Sequence, residues 1–172
     1  MLTLESGPAR LVVAPEKGGR IVALKVDGLD LLVTQDVDGH NFGCFPMAPW
    51  AGRVRHGRFD FEARRYQLPL NNPPHAIHGT ARDHPWQEDG EGVISASLGP
   101  PWPFGGRVVQ CFELAPNALH LTMEVARGRR FDARLVRVAS VVESQRGAGR
   151  AAHGGTGRRC HVRARRGRDP DR

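Results

Sequence analysis

The chain has 172 residues, 40% of them hydrophobic and 25% charged, which is the balance of a globular protein with room for one ordinary domain and a tail. No apolar run reaches the roughly 20 residues that a helical membrane span needs, and the opening MLTLESGPAR lacks the basic-then-apolar order of a secretory leader, so a cytoplasmic location is expected. The formal charge of +7 invites a nucleic-acid reading until it is located: residues 127–172 hold 14 Arg, no Lys and 4 acidic residues, a net +10, which leaves residues 1–126 at 7 − 10 = −3.

Residues 1–126 alternate short apolar and polar runs with turn residues and show no sustained helical period, which predicts an all-β fold. In chain order, strands are predicted at Arg10–Val13, Arg20–Val26 and Leu31–Val33. Asn41–Val54 is then expected as a long ordered loop, followed by strands at Arg58–Phe61 and Tyr66–Leu68, a second long loop over Asn71–Trp86, and a strand at Gly92–Leu98. The two clearest strands are Arg107–Leu114 and Ala118–Val125. In the latter, Leu119, Leu121, Met123 and Val125 alternate with His120, Thr122 and Glu124, as a half-buried strand requires. Pro116-Asn117 between them reads as the turn of a hairpin. Many short strands with Gly, Pro, Asn and Asp between them point to a sandwich or barrel. Long ordered loops on such a scaffold are where function concentrates.

From Arg127 onward the texture changes: Arg, Gly and Ala dominate, proline almost vanishes with Pro170 the only one, and the only aromatic residue is Phe131. Codons for Arg, Gly and Ala are GC-heavy, so this composition is what a GC-rich gene yields when translated out of frame. The chain is therefore read as a β portion over residues 1–126 and a basic tail over 127–172, the tail expected to be disordered and to be either a frameshift product or a genuine extension. Nucleic-acid binding through that tail ranks low, because it lacks interleaved aromatics on which bases would stack. Cys44, Cys111 and Cys160 are widely spaced with no C-x-x-C pair, so reduced thiols are expected. Only Cys160-His161 comes near zinc-ligand spacing, and no metal site is expected.

The run from Phe45 to Trp86 reads FPMAPWAGRVRHGRFDFEARRYQLPLNNPPHAIHGTARDHPW. A Pro-rich approach, Ala51-Gly52-Arg53, a Gly-x-Phe strand at Gly57–Phe59, Tyr66-Gln67-Leu68-Pro69-Leu70-Asn71-Asn72 and His75-Ala76-Ile77-His78-Gly79 follow in order. That series, with Pro101-Trp102-Pro103-Phe104 and the hairpin after it, resembles the aldose 1-epimerase (galactose mutarotase-like) family over about residues 1–125. The resemblance implies a β-sandwich of the mutarotase type, incomplete in this chain, and interconversion of the α and β anomers of a hexose or related aldose.

Mutarotation opens the sugar ring, turns about C1–C2 and recloses it, so a base must take the C1 hydroxyl proton while an acid serves the ring oxygen. A carboxylate and an imidazole suit these tasks, hydrogen-bond donors hold the hydroxyls, and neither metal nor other cofactor is needed. By resemblance, Arg53 and His78 contact the sugar, His78 also assisting the reaction. His75 could line the pocket or cap a turn, Asn71 could bind sugar hydroxyls or form the turn before Pro73, and Trp86 could stack on the sugar, with a core role favoured. The family's acid His and base Glu lie further along its members' chains. Glu143, His153 and His161 have no family motif around them, so a truncated, inactive or impaired epimerase is expected, with an uncovered strand edge prone to aggregation. Two alternatives stand beside it: a non-catalytic carbohydrate-binding module, and a hexose-6-phosphate mutarotase using Arg55, Arg58 or Arg82 for the phosphate.

Overall fold

A computed structural model describes residues 1–35 and 42–126, together with the backbone of a strand at 138–143. The first sheet is an antiparallel meander of β1 (Leu2–Ser6), β2 (Ala9–Ala14), β3 (Arg20–Val26) and β4 (Leu29–Asp30). Two short pairs follow in the middle of the chain. β5 (Arg53–Val54) pairs with β8 (Ala76–Ile77), and inside that pair of segments lies the hairpin of β6 (Arg58–Phe61) and β7 (Arg64–Gln67). The second large sheet has the order β13-β12-β11-β10-β9, from β9 (Gln87–Gly90), β10 (Val93–Ser97), β11 (Arg107–Ala115), β12 (Ala118–Ala126) and β13 (Val138–Glu143). No α-helix occurs among the described residues, and the only helical turns are short 3-10 segments such as Arg55–Gly57 and Ala81–Asp83. No helix there is long and apolar enough to cross a membrane.

The alternation that predicted the strands also builds the core. Leu2, Leu11, Val13, Ile21 and Leu24 of the first sheet meet Ile94, Ala96, Val108, Phe112 and Leu119 of the second, which makes the fold a β-sandwich. Each such side chain removed from water contributes about 1.5–3 kcal/mol. Ala48, Ala81 and Trp86 enter this core from the long connecting segments, so those segments are tied to the sandwich by packing as well as by hydrogen bonds. In β11 every residue from Val108 to Phe112 is buried, because this strand sits between two neighbours and is covered on both faces.

The predicted β2, β3, β6, β10, β11 and β12 are all present, with Arg20–Val26 and Arg58–Phe61 in their expected bounds and Ala115↔Ala118 closing the predicted hairpin. Other expectations need correction. The strand predicted at Leu31–Val33 is absent. The chain leaves the sheet after β4, and Leu31 keeps one backbone bond to Leu24 (2.8 Å). β1 went unpredicted, although Leu2 and Leu4 alternate with Thr3 and Glu5. The loops predicted at Asn41–Val54 and Asn71–Trp86 contain β5 and β8, two-residue strands too short to leave a periodic signature. Strand structure was expected to stop at residue 126, yet Val138–Glu143 pairs antiparallel with β12, from Met123↔Val138 to Ala118↔Glu143. The sequence VASVVE there is rich in β-branched residues, which suit the edge that β12 offers. The remainder of the predicted tail, residues 127–137 and 144–172, lies outside the described residues. Cys44 is a free thiol, whereas Cys111 is disulfide-bonded, against the expectation that all three cysteines are reduced.

Candidate functional site

The pairing of β5 with β8 brings the two motif residues of the sequence together. Arg53 lies opposite Ile77 and Val54 opposite Ala76, so the Gly52-Arg53 and His78-Gly79 steps flank one short ladder. The ladder continues past its formal end: the His78 N–H donates to the Gly52 carbonyl at 2.9 Å, and the Gly52 N–H donates to Nδ1 of His78 at 3.3 Å. A two-way bond of this kind fixes the imidazole. Because Nδ1 accepts, the neutral ring carries its proton on Nε2, which is left as a donor. Phe45 meets the His78 ring edge-on, with centroids 6.0 Å apart, and is itself covered by the guanidinium groups of Arg20 (5.0 Å) and Arg82 (5.1 Å).

His78 sits in the left-handed backbone region, at φ 61°, and is followed by Gly79 at φ 74°. The first is a conformation that a histidine holds only where its surroundings over-determine it. What holds it is the approach of Gly79 to Ala48. A Cβ at position 79 would lie 1.9 Å from the Ala48 carbonyl oxygen, which accepts hydrogen bonds from Thr80 and Ala81 N–H at 3.0 Å each. Glycine is required here on both grounds, and its presence locks the His78 step against the core residue Ala48.

Arg53 is exposed and its guanidinium donates from Nη1 to Oδ1 of Asn72 at 3.3 Å. No carboxylate pairs with it among the described residues. Most of its five donors are therefore open to a ligand. His75 stands beside it, half-buried, with Nδ1 accepting the His56 N–H at 3.1 Å and its ring 5.3 Å from that of His56. Burial first, then the positive charges of Arg53, His56 and Arg55, push the His75 pKa below the ordinary imidazole value.

Asn71 is engaged structurally. Its Nδ2 donates to the carbonyls of Ile77 (2.9 Å) and Gly79 (3.3 Å), and its Oδ1 accepts the Ile77 N–H at 2.7 Å. It clamps β8 from outside, and with both ends of its amide used in this way the sugar-binding role weighed for it gives way to a positioning one. Trp86 is 5% exposed and its indole N–H donates to the Ala81 carbonyl at 2.9 Å. It has no open face for a sugar, which corrects the stacking role and leaves the core role. Arg58 bonds Gln67 at 3.1 Å and Arg82 pairs with Asp83 at 3.5 Å, so of the three arginines weighed for a phosphate, Arg55 alone belongs to the group around His75. The sequence reading passed over Gly52, Phe45 and the backbone of His56. Gly52 acts through its main chain, and the other two matter through contacts between segments about 20 residues or more apart, for which a single sequence carries no signal.

The sequence profile of the family described as aldose 1-epimerase matches residues 1–132. The uncharacterized protein YphB of Escherichia coli K12 is 30% identical over 132 residues, a span of 72% of this chain and 44% of that protein. A solved structure of a candidate aldose 1-epimerase from Escherichia coli K12 superposes with a TM-score of 0.63 at 28% identity, covering 73% of this chain and 45% of the other. The galactose 1-epimerase of Lactobacillus acidophilus NCFM shares the fold, with a TM-score of 0.60, 22% identity and coverage of 73% and 43%. The chain thus spans less than half the length of these relatives. With more than two thirds of its residues matched by one family's profile and the same sandwich found in that family's solved structures, the chain belongs to the aldose 1-epimerase family.

Proposed function

We propose that this chain carries the sugar-holding portion of an aldose 1-epimerase site, binding a hexose or related aldose through Arg53 and His78 and, by itself, impaired in interconverting the anomers. The observation that supports this most is the reciprocal Gly52–His78 hydrogen bonding, which fixes the His78 imidazole against the residue that precedes Arg53, an arginine with no carboxylate partner among the described residues. Arg53 offers donors to hydroxyl oxygens, and Nε2 of His78 donates to an oxygen on which charge develops as the ring opens. The two proton transfers themselves require an acid and a base. In the family these lie beyond the portion that the resemblance covers, and among the described residues no carboxylate pairs with Arg53. Holding without efficient turnover is the consequence.

The test is binding and catalysis on the same preparation. Titration with galactose and with glucose, followed by amide NMR, should give saturable shifts at Gly52, Arg53 and His78, lost in Arg53→Ala and in His78→Asn. Asparagine tolerates the left-handed backbone, so the second change removes the imidazole with little strain. Polarimetry should show anomer interconversion no faster than the buffer rate by more than a few-fold. Rapid turnover dependent on Arg53 would refute the impairment, and unaltered spectra at high sugar concentration would refute the binding.

A further inference from the structure

The ladder of Arg53–Val54 with Ala76–Ile77 is short, and the structure extends it at both ends by the same device. At one end the Gly52 N–H donates to Nδ1 of His78 at 3.3 Å, alongside the return bond from the His78 N–H to the Gly52 carbonyl at 2.9 Å. At the other end the His56 N–H donates to Nδ1 of His75 at 3.1 Å, and the two rings lie 5.3 Å apart. The partners are 26 and 19 residues apart in sequence, with the whole β6–β7 hairpin between them. Two imidazole nitrogens therefore fasten the segment 52–56 to the segment 75–78, one on each side of the ladder that presents Arg53.

Each fastening works only while its ring is neutral. A neutral imidazole accepts at Nδ1 when its proton sits on Nε2, whereas the protonated ring donates from both nitrogens. Protonation sets N–H against N–H at each end, so the bond is lost outright. Around His75 stand Arg53 of β5 and, in the 3-10 turn, Arg55 and His56. Burial, followed by the charges of Arg53, His56 and Arg55, holds the His75 pKa below the ordinary value, which keeps this fastening closed to lower pH. Beside His78 stands Phe45, with Arg20 of β3 and Arg82 of the Ala81–Asp83 turn over its ring, Arg82 being paired with Asp83 at 3.5 Å. The backbone has reason to move once released. His56 lies at φ 52° and His78 at φ 61°, conformations that cost a residue with a Cβ energy and persist only where contacts hold them.

We infer that His75 and His78 form a proton-sensitive clasp, closed when both rings are neutral and opened by protonation, and that closure of this clasp assembles the Arg53–His78 site. His75 is in this respect a positioning residue, since it acts on the 3-10 turn that follows Arg53 and not on a ligand. The effect on sugar rests on the binding reading above, and its sign is opposite to what direct contact alone gives. Protonation leaves the Nε2–H of His78 in place and makes it a charged, stronger donor, so a rigid site holds sugar as well or better at low pH. In a clasped site the apparent affinity instead scales with the fraction of chains in which both rings are neutral. Where both rings are largely protonated, that fraction falls about hundredfold for each pH unit, against about tenfold for a single group.

The experiment measures amide protection by hydrogen exchange in the full chain between about pH 5 and 8, and galactose affinity over the same range. The Gly52 and His56 amides should lose protection as pH falls through the imidazole range, while those of residues 108–112 in β11 keep theirs. Galactose affinity should fall more than about tenfold per pH unit at the acid end. His75→Asn places a non-titrating amide oxygen where Nδ1 stood. It should keep the His56 amide protected at low pH, leave the Gly52 amide pH-sensitive, and reduce the fall in affinity to about tenfold per pH unit or less. A His56 amide that still loses protection in His75→Asn overturns the role of His75. Protection at Gly52 and His56 that does not change with pH overturns the clasp, as does its loss only together with the β11 amides, which marks global unfolding. Galactose affinity that is flat or rises as pH falls overturns it too, with the sugar reading intact. If galactose binds at no pH, the sugar reading fails and amide protection alone decides the clasp.

Discussion

Replacing Gly79 with alanine tests how the site is held. The new Cβ would lie 1.9 Å from the Ala48 oxygen, 2.3 Å from its carbonyl carbon and 2.9 Å from its nitrogen, all backbone atoms that cannot rotate away. Residue 79 also holds φ 74°, which costs a residue with a Cβ about 1–2 kcal/mol. Relief requires the Gly79 and Ala48 segments to part by more than 1 Å, and that breaks the hydrogen bonds from Thr80 and Ala81 to the Ala48 oxygen, each about 1 kcal/mol. The sum is about 3–4 kcal/mol, a large share of the stability of a small domain. Urea unfolding followed by circular dichroism should report that loss. A matched control is Gly28→Ala, at φ 77° but with nothing within 4 Å of the new Cβ, for which only the backbone cost of about 1–2 kcal/mol is expected. If the two variants unfold at the same urea concentration, the close approach of Gly79 to Ala48 is not what fixes the His78 step.

Other outcomes follow from the same geometry. Asn71→Ala leaves the Ile77 N–H and two carbonyls without their partner and should cost about 1–3 kcal/mol in stability, with sugar affinity falling as β8 loosens; calorimetry and NMR titration check both. Arg53→Ala should change the melting temperature little, because Arg53 is exposed and its guanidinium bonds only Asn72, at 3.3 Å, among the described residues, while abolishing sugar binding; a large drop in melting temperature would assign Arg53 a structural role instead. Trp86→Ala should cost about 3–5 kcal/mol through the cavity it leaves, whereas Trp86→Phe should lose mainly the bond to the Ala81 carbonyl, about 1 kcal/mol, and retain sugar binding. His75 should titrate below the ordinary imidazole value, through burial first and then the positive charges of Arg53, His56 and Arg55. A depressed folded-state value means that the unfolded chain takes up the proton first, so the His75 contribution to stability is present above the ordinary imidazole pKa and declines as pH falls through and below it. An NMR midpoint at or above about 6.5 would contradict the depressed value.

The fold class and most of the long strands were legible because short apolar runs are bounded by turn residues, and in β12 Leu119, Leu121, Met123 and Val125 alternate with polar residues. The two-residue strands β5 and β8, which carry the candidate site, were not, since two residues have no period. Arg53 and His78 were proposed from the surrounding motif, and the structure puts their segments across one ladder. Asn71 and Trp86 were read as polar and aromatic groups near a motif. Their partners, the Ile77 and Gly79 backbone for one and the Ala81 carbonyl for the other, decide what they do, and these are tertiary facts. His56 and His75 had no sequence signal as a pair, because the chain travels through the β6–β7 hairpin between them.

The most direct test of the account is an NMR titration of the intact chain with galactose, with backbone amides and histidine rings observed together. The account predicts saturable shifts concentrated at Gly52, Arg53, His78 and Gly79 and absent from the far strands β1 and β4. Saturable shifts located elsewhere, or none at all in a chain that melts cooperatively, would contradict it.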